Sequence, residues 1–305
     1  MLNSLLKKGT GPLETSLRHQ EIERSDSDNP LFQQTLKLCA GAVLSSLFRE
    51  KTLKIEQGFT MPYFASDADM GLAGRLIRLY VANRSRRNGT GIESLHKRFW
   101  QRQRPDDWFA TTADRLERLY IPIFEGFVDQ VQSHLITTPI KTVIEFGCGT
   151  GQWLAFLKSK WPHVERFVGI DLAGQQITIN QQLYPEIDFQ HQDLMAWVDD
   201  AGTQNSLFVT HCGVLEYLSE KSLTELFSAI AEKHRGSMLM LIEPIAEDFD
   251  FVREQKSRLQ GTEFSFAHNY PQLLRSANHQ IVLQTEKRLE DFRMLCLLAR
   301  TGSVG

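Results

Sequence analysis

Three glycines at alternate positions, Gly147, Gly149 and Gly151 in Glu145-Phe-Gly-Cys-Gly-Thr-Gly151, follow the apolar run Thr142-Val-Ile and precede Gln152-Trp-Leu-Ala-Phe-Leu. A short apolar run that breaks into glycines and resumes with a helical pattern is a strand-to-helix turn. The glycines permit positive φ and remove the side chains that keep a ligand off the backbone, and the following helix aims its first N–H groups at that ligand. The spacing is GxGxG, not the GxGxxG of dinucleotide turns, and no GxxxxGK[ST] supplies the lysine and magnesium-binding hydroxyl of a P-loop. A nucleotide-type cofactor whose recognition does not centre on phosphate fits this turn.

Further signals follow in order. Phe167-Val-Gly-Ile-Asp171-Leu172 is a second apolar strand ending in a carboxylate 24 residues after Gly147, where a doubly wound fold places an acid that accepts from both ribose hydroxyls. Taken alone, Asp171 serves equally as a helix N-cap. Ile187-Asp-Phe-Gln-His-Gln-Asp193-Leu194 is a third strand with an acid past its end, which alone reads as a solvated loop residue. Ser206-Leu-Phe-Val-Thr-His211-Cys-Gly-Val-Leu-Glu-Tyr217-Leu is a fourth strand running into a loop, and Ser237-Met-Leu-Met-Leu-Ile-Glu-Pro244 a fifth.

Together these segments resemble the ordered motifs of the class I S-adenosylmethionine-dependent methyltransferases over about residues 141–300. The resemblance implies S-adenosyl-L-methionine as cofactor and S-adenosyl-L-homocysteine as product. It places Gly147, Cys148, Gly149 and Gly151 in the cofactor turn, Asp171 with Leu172 at the ribose, and Asp193 at the adenine amino group with Leu194 or Met195 against the ring. Glu145 falls near the methionine amino group or only orients the turn, and His211 falls at the methyl end.

The acceptor is less legible. An Asp/Asn-Pro-Pro-aromatic run after strand four, associated with methylation of amino groups on planar bases, is replaced by Thr210-His-Cys-Gly213, and the Pro-Cys nucleophile for pyrimidine carbon is missing. Both lower nucleobase methylation. His211 is the first candidate general base, because an imidazole titrates near neutral pH, and His268 in Ser265-Phe-Ala-His-Asn-Tyr-Pro271 is the second. Asn269 and Tyr270 offer substrate hydrogen bonds there, although Asn-Tyr-Pro is also an ordinary turn into a helix. Tyr120 and Tyr217 complete the substrate candidates. Each histidine has a structural alternative, hydrogen-bonding its own loop.

These residues need elements to position them. The chain has 305 residues, 42% of them hydrophobic, enough for a substantial core plus an extension. Residues 1–28 are polar and aperiodic, read as a mobile arm; 29–140 read as a helical extension or lid; 141–305 read as the cofactor domain. In the extension, 31–49 carries Phe32, Leu36, Cys39, Val43, Leu44, Leu47 and Phe48 at three- and four-residue spacing, which predicts a helix buried along that face. Residues 58–69 read as loop, 70–88 as an amphipathic helix with Leu72, Leu76, Ile77 and Tyr80 on one face, then helices over about 92–102 and 107–135. Trp100, Trp108 and Tyr120 fall where similar enzymes close over the cofactor. The expected fold is α/β, a doubly wound, mostly parallel seven-stranded sheet whose last strand, about 292–299, is antiparallel to 280–285.

Nine cations against Glu93 alone occupy 75–104, inside residues 1–104 with net charge +7, while 105–305 carries −10. This suits an anionic acceptor, RNA or an acidic surface, or else pairing with the acidic half. A pI near 6.3 argues against nucleic acid. Four scattered cysteines show no metal-ligand spacing, so no metal is expected, and no signal peptide or span of 18 apolar residues is visible. The expectation is a cytoplasmic enzyme methylating O or N of a small or medium-sized metabolite, with oligomerisation through the N-terminal helices open. The alternatives are a methyltransferase docking a macromolecule through those helices, and a non-catalytic cofactor-binding module.

Overall fold

The computed structural model describes residues 30–57, 71–87, 91–103, 109–200, 202–260, 264–289 and 292–302. The expectations for 1–28, for the loop at 58–69 and for Trp108 lie outside them.

Five apolar runs form parallel strands: β1 Thr142–Phe146, β2 Arg166–Asp171, β3 Asp188–His191, β4 Ser206–His211 and β5 Met238–Ile245. A short hairpin, β6 Arg258–Gln260 and β7 Ser265–Ala267, stands apart, and β8 His279–Leu289 and β9 Phe292–Thr301 complete the main sheet in the order β3-β2-β1-β4-β5-β9-β8. Only β9 runs antiparallel to both its neighbours, β5 and β8. The strands are buried on both faces because helices cover each side, so their sequences read as continuous apolar runs. Successive residues still serve opposite cores: Val143, Leu207 and Val209 join one, Ile144 and Phe208 the other.

The helices are α1 Pro30–Leu47, α2 Arg49–Gln57, α3 Gly71–Arg87, α4 Gly91–Gln101, α5 Ala110–Arg115, α6 Ile121–Thr137, α7 Gln152–Lys160, α8 Gly174–Leu183, α9 Leu194–Asp200, α10 Glu220–Lys233 and α11 Tyr270–Ser276. A π turn, Leu116–Tyr120, joins α5 to α6 where the sequence suggests one helix over 107–135. Phe124, Phe127, Val128, Val131 and Leu135 seat α6 on the sheet beside Trp153 and Trp161 of the first core. The second core lies under α9, α10 and α11, around Trp197, Phe227 and Tyr270.

The expected buried face of α1 is corrected at four positions, while Leu44 packs against the core around Ile77 and Leu95. Leu36, Val43, Leu47 and Phe48 are 53%, 60%, 70% and 48% exposed. The helix meets α3 through its small-residue side instead: Gly41 lies against the Leu76 carbonyl and Tyr80 Cβ, a closeness only a residue without Cβ allows. Leu72 of α3 is likewise exposed, whereas Ile77 is buried with Val81, Ile92 and Leu95 in a separate small core. Leu259, Phe264 and Phe266, on and beside the hairpin, pack against that core and tie the helical region to the sheet domain. Segment 265–267, read from sequence as leading straight into a helix, is thus a strand.

Candidate active site

The glycine turn takes left-handed conformations at Gly147, Gly149 and Gly151, with φ of 67°, 48° and 75°. Space enforces the choice as well, since a Cβ on Gly147 would fall 2.6 Å from Val214 Cγ2 and one on Gly151 2.7 Å from the Phe189 ring. Neighbouring strand β2 holds the turn. Gly147 and Cys148 donate their N–H groups to the Ile170 carbonyl at 2.8 and 3.1 Å. Gly149 N donates to Asp171 Oδ2 at 2.9 Å, and Ala173 N donates to Oδ1 at 2.8 Å.

Above these strand ends lies a cavity of about 340 Å³. It sits at the C-terminal edge where β1 is flanked by β2 and β4, the position at which the strand order reverses. Glu145 reaches it from β1 and is 2% exposed. Burial, and then the charge of Asp171, push its carboxyl well above the usual range, and Oε2 has no hydrogen-bond partner. A buried acceptor left so is costly until a donor or cation meets it. Burial also raises Asp171, against the opposing effect of the Ala173 and Gly149 N–H bonds.

At the far side, Asp193 Oδ1 accepts from the N–H groups of Met195 and Ala196 at 3.1 and 3.3 Å, capping α9, while Oδ2 pairs with Lys97 Nζ of α4 at 2.7 Å. At the end of β4, Cys212 and Gly213 turn the chain with φ of 55° and 95°. Glu243 of β5, fully buried, secures this turn by accepting from Val214 N and Leu215 N at 3.1 and 3.2 Å. His211 stacks on Trp153 with ring centroids 4.1 Å apart and meets Tyr120 and Phe124 edge-on. Burial lowers its pKa to about 3 and raises the Cys212 thiol, whose Sγ lies 3.0 Å from His211 Nε2. Arg115, at the end of α5, holds its guanidinium 5.3 Å over the Tyr120 ring.

The cavity thus brings together Glu145, Gly147, Cys148, Gly149, Asp171, Leu172, Asp193, Leu194, His211, Tyr120 and Tyr217 among the sequence-predicted residues. Gly151 stands behind its wall, as the N-cap of α7. His268, Asn269 and Tyr270 are corrected, because none of the three lines it. His268 bridges Ser257 Oγ and the Leu218 carbonyl, at 2.6 and 3.1 Å, with its pKa lowered to about 4 by burial. Asn269 caps α11 through Gln272 N and donates to the Phe251 and Glu254 carbonyls, and Tyr270 is buried in the second core. Polar residues at a helix start serve as caps at least as readily as substrate ligands.

Sequence reasoning missed Glu93, Lys97, Phe109, Arg115 and Leu116, which roof the cavity from the N-terminal helices. Their only signal is the crowding of cations and aromatics over 92–120. Several cations of the 75–104 segment are engaged: Arg84 pairs with Glu56, Arg78 is 5% exposed beside Phe264, and Lys97 pairs with Asp193. Among the described residues no group of three His, Cys, Asp or Glu side chains could hold a metal ion, and no helix is long and apolar enough to cross a membrane.

A seven-stranded sheet of this order with a glycine turn after β1 and acids after β2 and β3 is the class I methyltransferase architecture. Residues 143–235 match the methyltransferase domain family, and the sheet with its flanking helices has the class I methyltransferase fold. A trans-aconitate 2-methyltransferase from Azoarcus sp. (strain BH72) is 35% identical over 60 residues, 20% of this chain and 23% of that relative, so the chain matches less than a quarter of that relative's length. A solved S-adenosylmethionine-dependent methyltransferase from Leishmania major superposes with a TM-score of 0.52 at 11% identity, over 69% of this chain and 84% of the other. Another from Clostridium acetobutylicum gives 0.48 at 12% identity, over 64% and 99%.

Proposed function

We propose that the protein transfers a methyl group from S-adenosyl-L-methionine to oxygen or nitrogen of a small or medium-sized, anionic metabolite. The observation that carries the cofactor half is Glu145, a buried acid that lines the cavity and has one carboxyl oxygen without a hydrogen-bond partner, which suits the ammonium group of a methionine moiety. Asp171 keeps acceptor capacity for ribose hydroxyls beyond its two backbone bonds, since an ionised carboxylate offers about four lone-pair sites. The bound cofactor supplies an electrophilic methyl on a sulfonium.

The chain's own work is then to position and to exclude water. Tyr120, Trp153 and Leu116 give the β4 side of the cavity an apolar wall. Holding an acceptor atom about 3–3.5 Å from the methyl carbon, in line with the breaking bond, contributes on the order of 7–11 kcal/mol. His211 is neutral through the working pH range, but burial disfavours its charged form, so it is a weaker base than the near-neutral imidazole expected from sequence and positioning carries most of the rate. Arg115 places a positive charge near Cys212 at the methyl end, which favours a carboxylate or similar anion. The local likeness to a trans-aconitate 2-methyltransferase agrees with such an acceptor. In this reading the segment 29–140 is lid and acceptor wall, and 141–305 the cofactor domain.

The test is a screen of small carboxylates and other metabolites with isotope-labelled methyl donor, on the full chain and on Arg115→Ala. Label transfer to an anionic acceptor, with KM raised about tenfold or more by the substitution, supports the reading. Transfer only to uncharged acceptors, insensitive to Arg115, contradicts it.

A further inference from the structure

We propose that Lys97 reads the adenine edge of the cofactor jointly with Asp193, so that helix α4 of the N-terminal region forms part of the adenine-recognition site. The inference rests on the cofactor reading above. Glu93, Lys97 and Trp100 stand at i, i+4 and i+7 on α4, and all three line the cavity. Glu93 pins the helix there. Its Oε2 accepts from Ser219 N at 2.8 Å and from Ser222 Oγ at 2.7 Å, at the start of α10.

This anchorage carries Lys97 to Asp193, 96 residues further along the chain. Asp193 spends Oδ1 on the first N–H groups of α9, and Oδ2 faces the Lys97 ammonium at 2.7 Å. The Watson–Crick edge of adenine presents a donor, the exocyclic amine, beside an acceptor, ring N1. A carboxylate can only accept, so Asp193 satisfies the amine and leaves N1 unmet. An ammonium has three donors and no acceptor role. With one N–H on Asp193, Lys97 retains others for N1. The ion pair therefore offers one acceptor and one donor side by side, matched to that edge. Leu194 and Met195, also at the cavity, are placed to cover the ring face.

The experiment is calorimetric titration of the full chain with S-adenosylhomocysteine and with its 1-deaza analogue, which keeps the amine and lacks the N1 acceptor. Wild type, Lys97→Met and Lys97→Arg are compared, with thermal unfolding as a check that each is folded. Wild type is expected to prefer S-adenosylhomocysteine about tenfold, as for a hydrogen bond to a charged group. Lys97→Met should weaken that ligand to the level of the analogue and leave the analogue's affinity unchanged, and Lys97→Arg should restore part of the preference. Equal weakening of both ligands by Lys97→Met would reduce Lys97 to a strut of the lid and overturn the proposal, as would no effect on either. A folded wild type that binds neither ligand removes the cofactor reading itself, a separate and recognisable failure.

Discussion

Gly149 and Asp171, from two different strand ends, are joined by a 2.9 Å hydrogen bond in which the glycine N–H donates to Oδ2. The carboxylate proposed to meet the ribose therefore also shapes the glycine turn. Asp171→Ala removes both this bond and the one from Ala173. It should cost about 2–4 kcal/mol of stability, given roughly 1.5–3 kcal/mol for each bond to a charged group less the relief of its burial. Asp171→Asn keeps one acceptor and should lose less. Urea unfolding of the two variants checks the order, and a larger loss for Asn than for Ala would contradict it.

Gly147→Ala meets two obstacles, a φ of 67° and a Val214 methyl 2.6 Å from the new Cβ. Val214 belongs to the loop fixed by Glu243, so it has little room to retreat. The variant should be destabilised by about 1–3 kcal/mol and bind S-adenosylhomocysteine at least tenfold more weakly, on the same order as a lost polar contact. Thermal unfolding and titration measure both.

His211 should give no inflection in a rate profile between pH 5 and 8, because burial holds its pKa near 3 in the folded protein. The depressed value makes the neutral ring a source of stability that is present above about pH 6.5 and is lost as pH falls toward 3. His211→Asn should therefore flatten part of the acid side of the stability curve. It should also lower turnover for a hydroxyl acceptor, by less than the ~10²-fold expected of a base tuned near neutral pH, with affinity for S-adenosylhomocysteine changed little. An unchanged turnover would leave His211 as packing against Trp153.

Glu243 tests the loop from its other side. Burial raises its carboxyl to about 7 in the folded state. A raised pKa stabilises the fold below the ordinary carboxylate value, and that stability is lost as pH climbs from about 4.5 to 7. Glu243→Gln retains a neutral acceptor for Val214 N and Leu215 N, so it should match wild type near pH 5. By pH 8 it should exceed wild type by on the order of 3 kcal/mol. Urea titrations at the two pH values check the divergence, and parallel curves would contradict it.

The strands and the cofactor edge were readable because their signals are local. Val143, Ile144 and Phe146 are apolar and buried, the glycines follow at once, Asp171 ends its strand and Asp193 stands just past the end of its own. The roof was not. Lys97 meets Asp193, and Glu93 meets Ser219, only through tertiary packing that no spacing in the sequence encodes. The α1 face misled for the same reason: periodicity shows that Leu36, Val43 and Leu47 share a side, while Gly41 decides that the opposite side meets α3. The hairpin β6–β7 has only three residues in each strand, too few to show alternation. His268, Asn269 and Tyr270 look like chemistry as types, but their hydrogen bonds and burial serve the entry into α11.

The central claim is that the cavity at the ends of β1, β2 and β4 holds S-adenosylmethionine. It is tested most directly by calorimetric titration of the full chain with S-adenosylmethionine and S-adenosylhomocysteine, in wild type and Asp171→Ala. The account predicts micromolar binding of both by wild type, on the order of −8 kcal/mol, and none measurable in the folded variant. A folded wild type that binds neither, or an Asp171→Ala variant that binds both as wild type does, would contradict it.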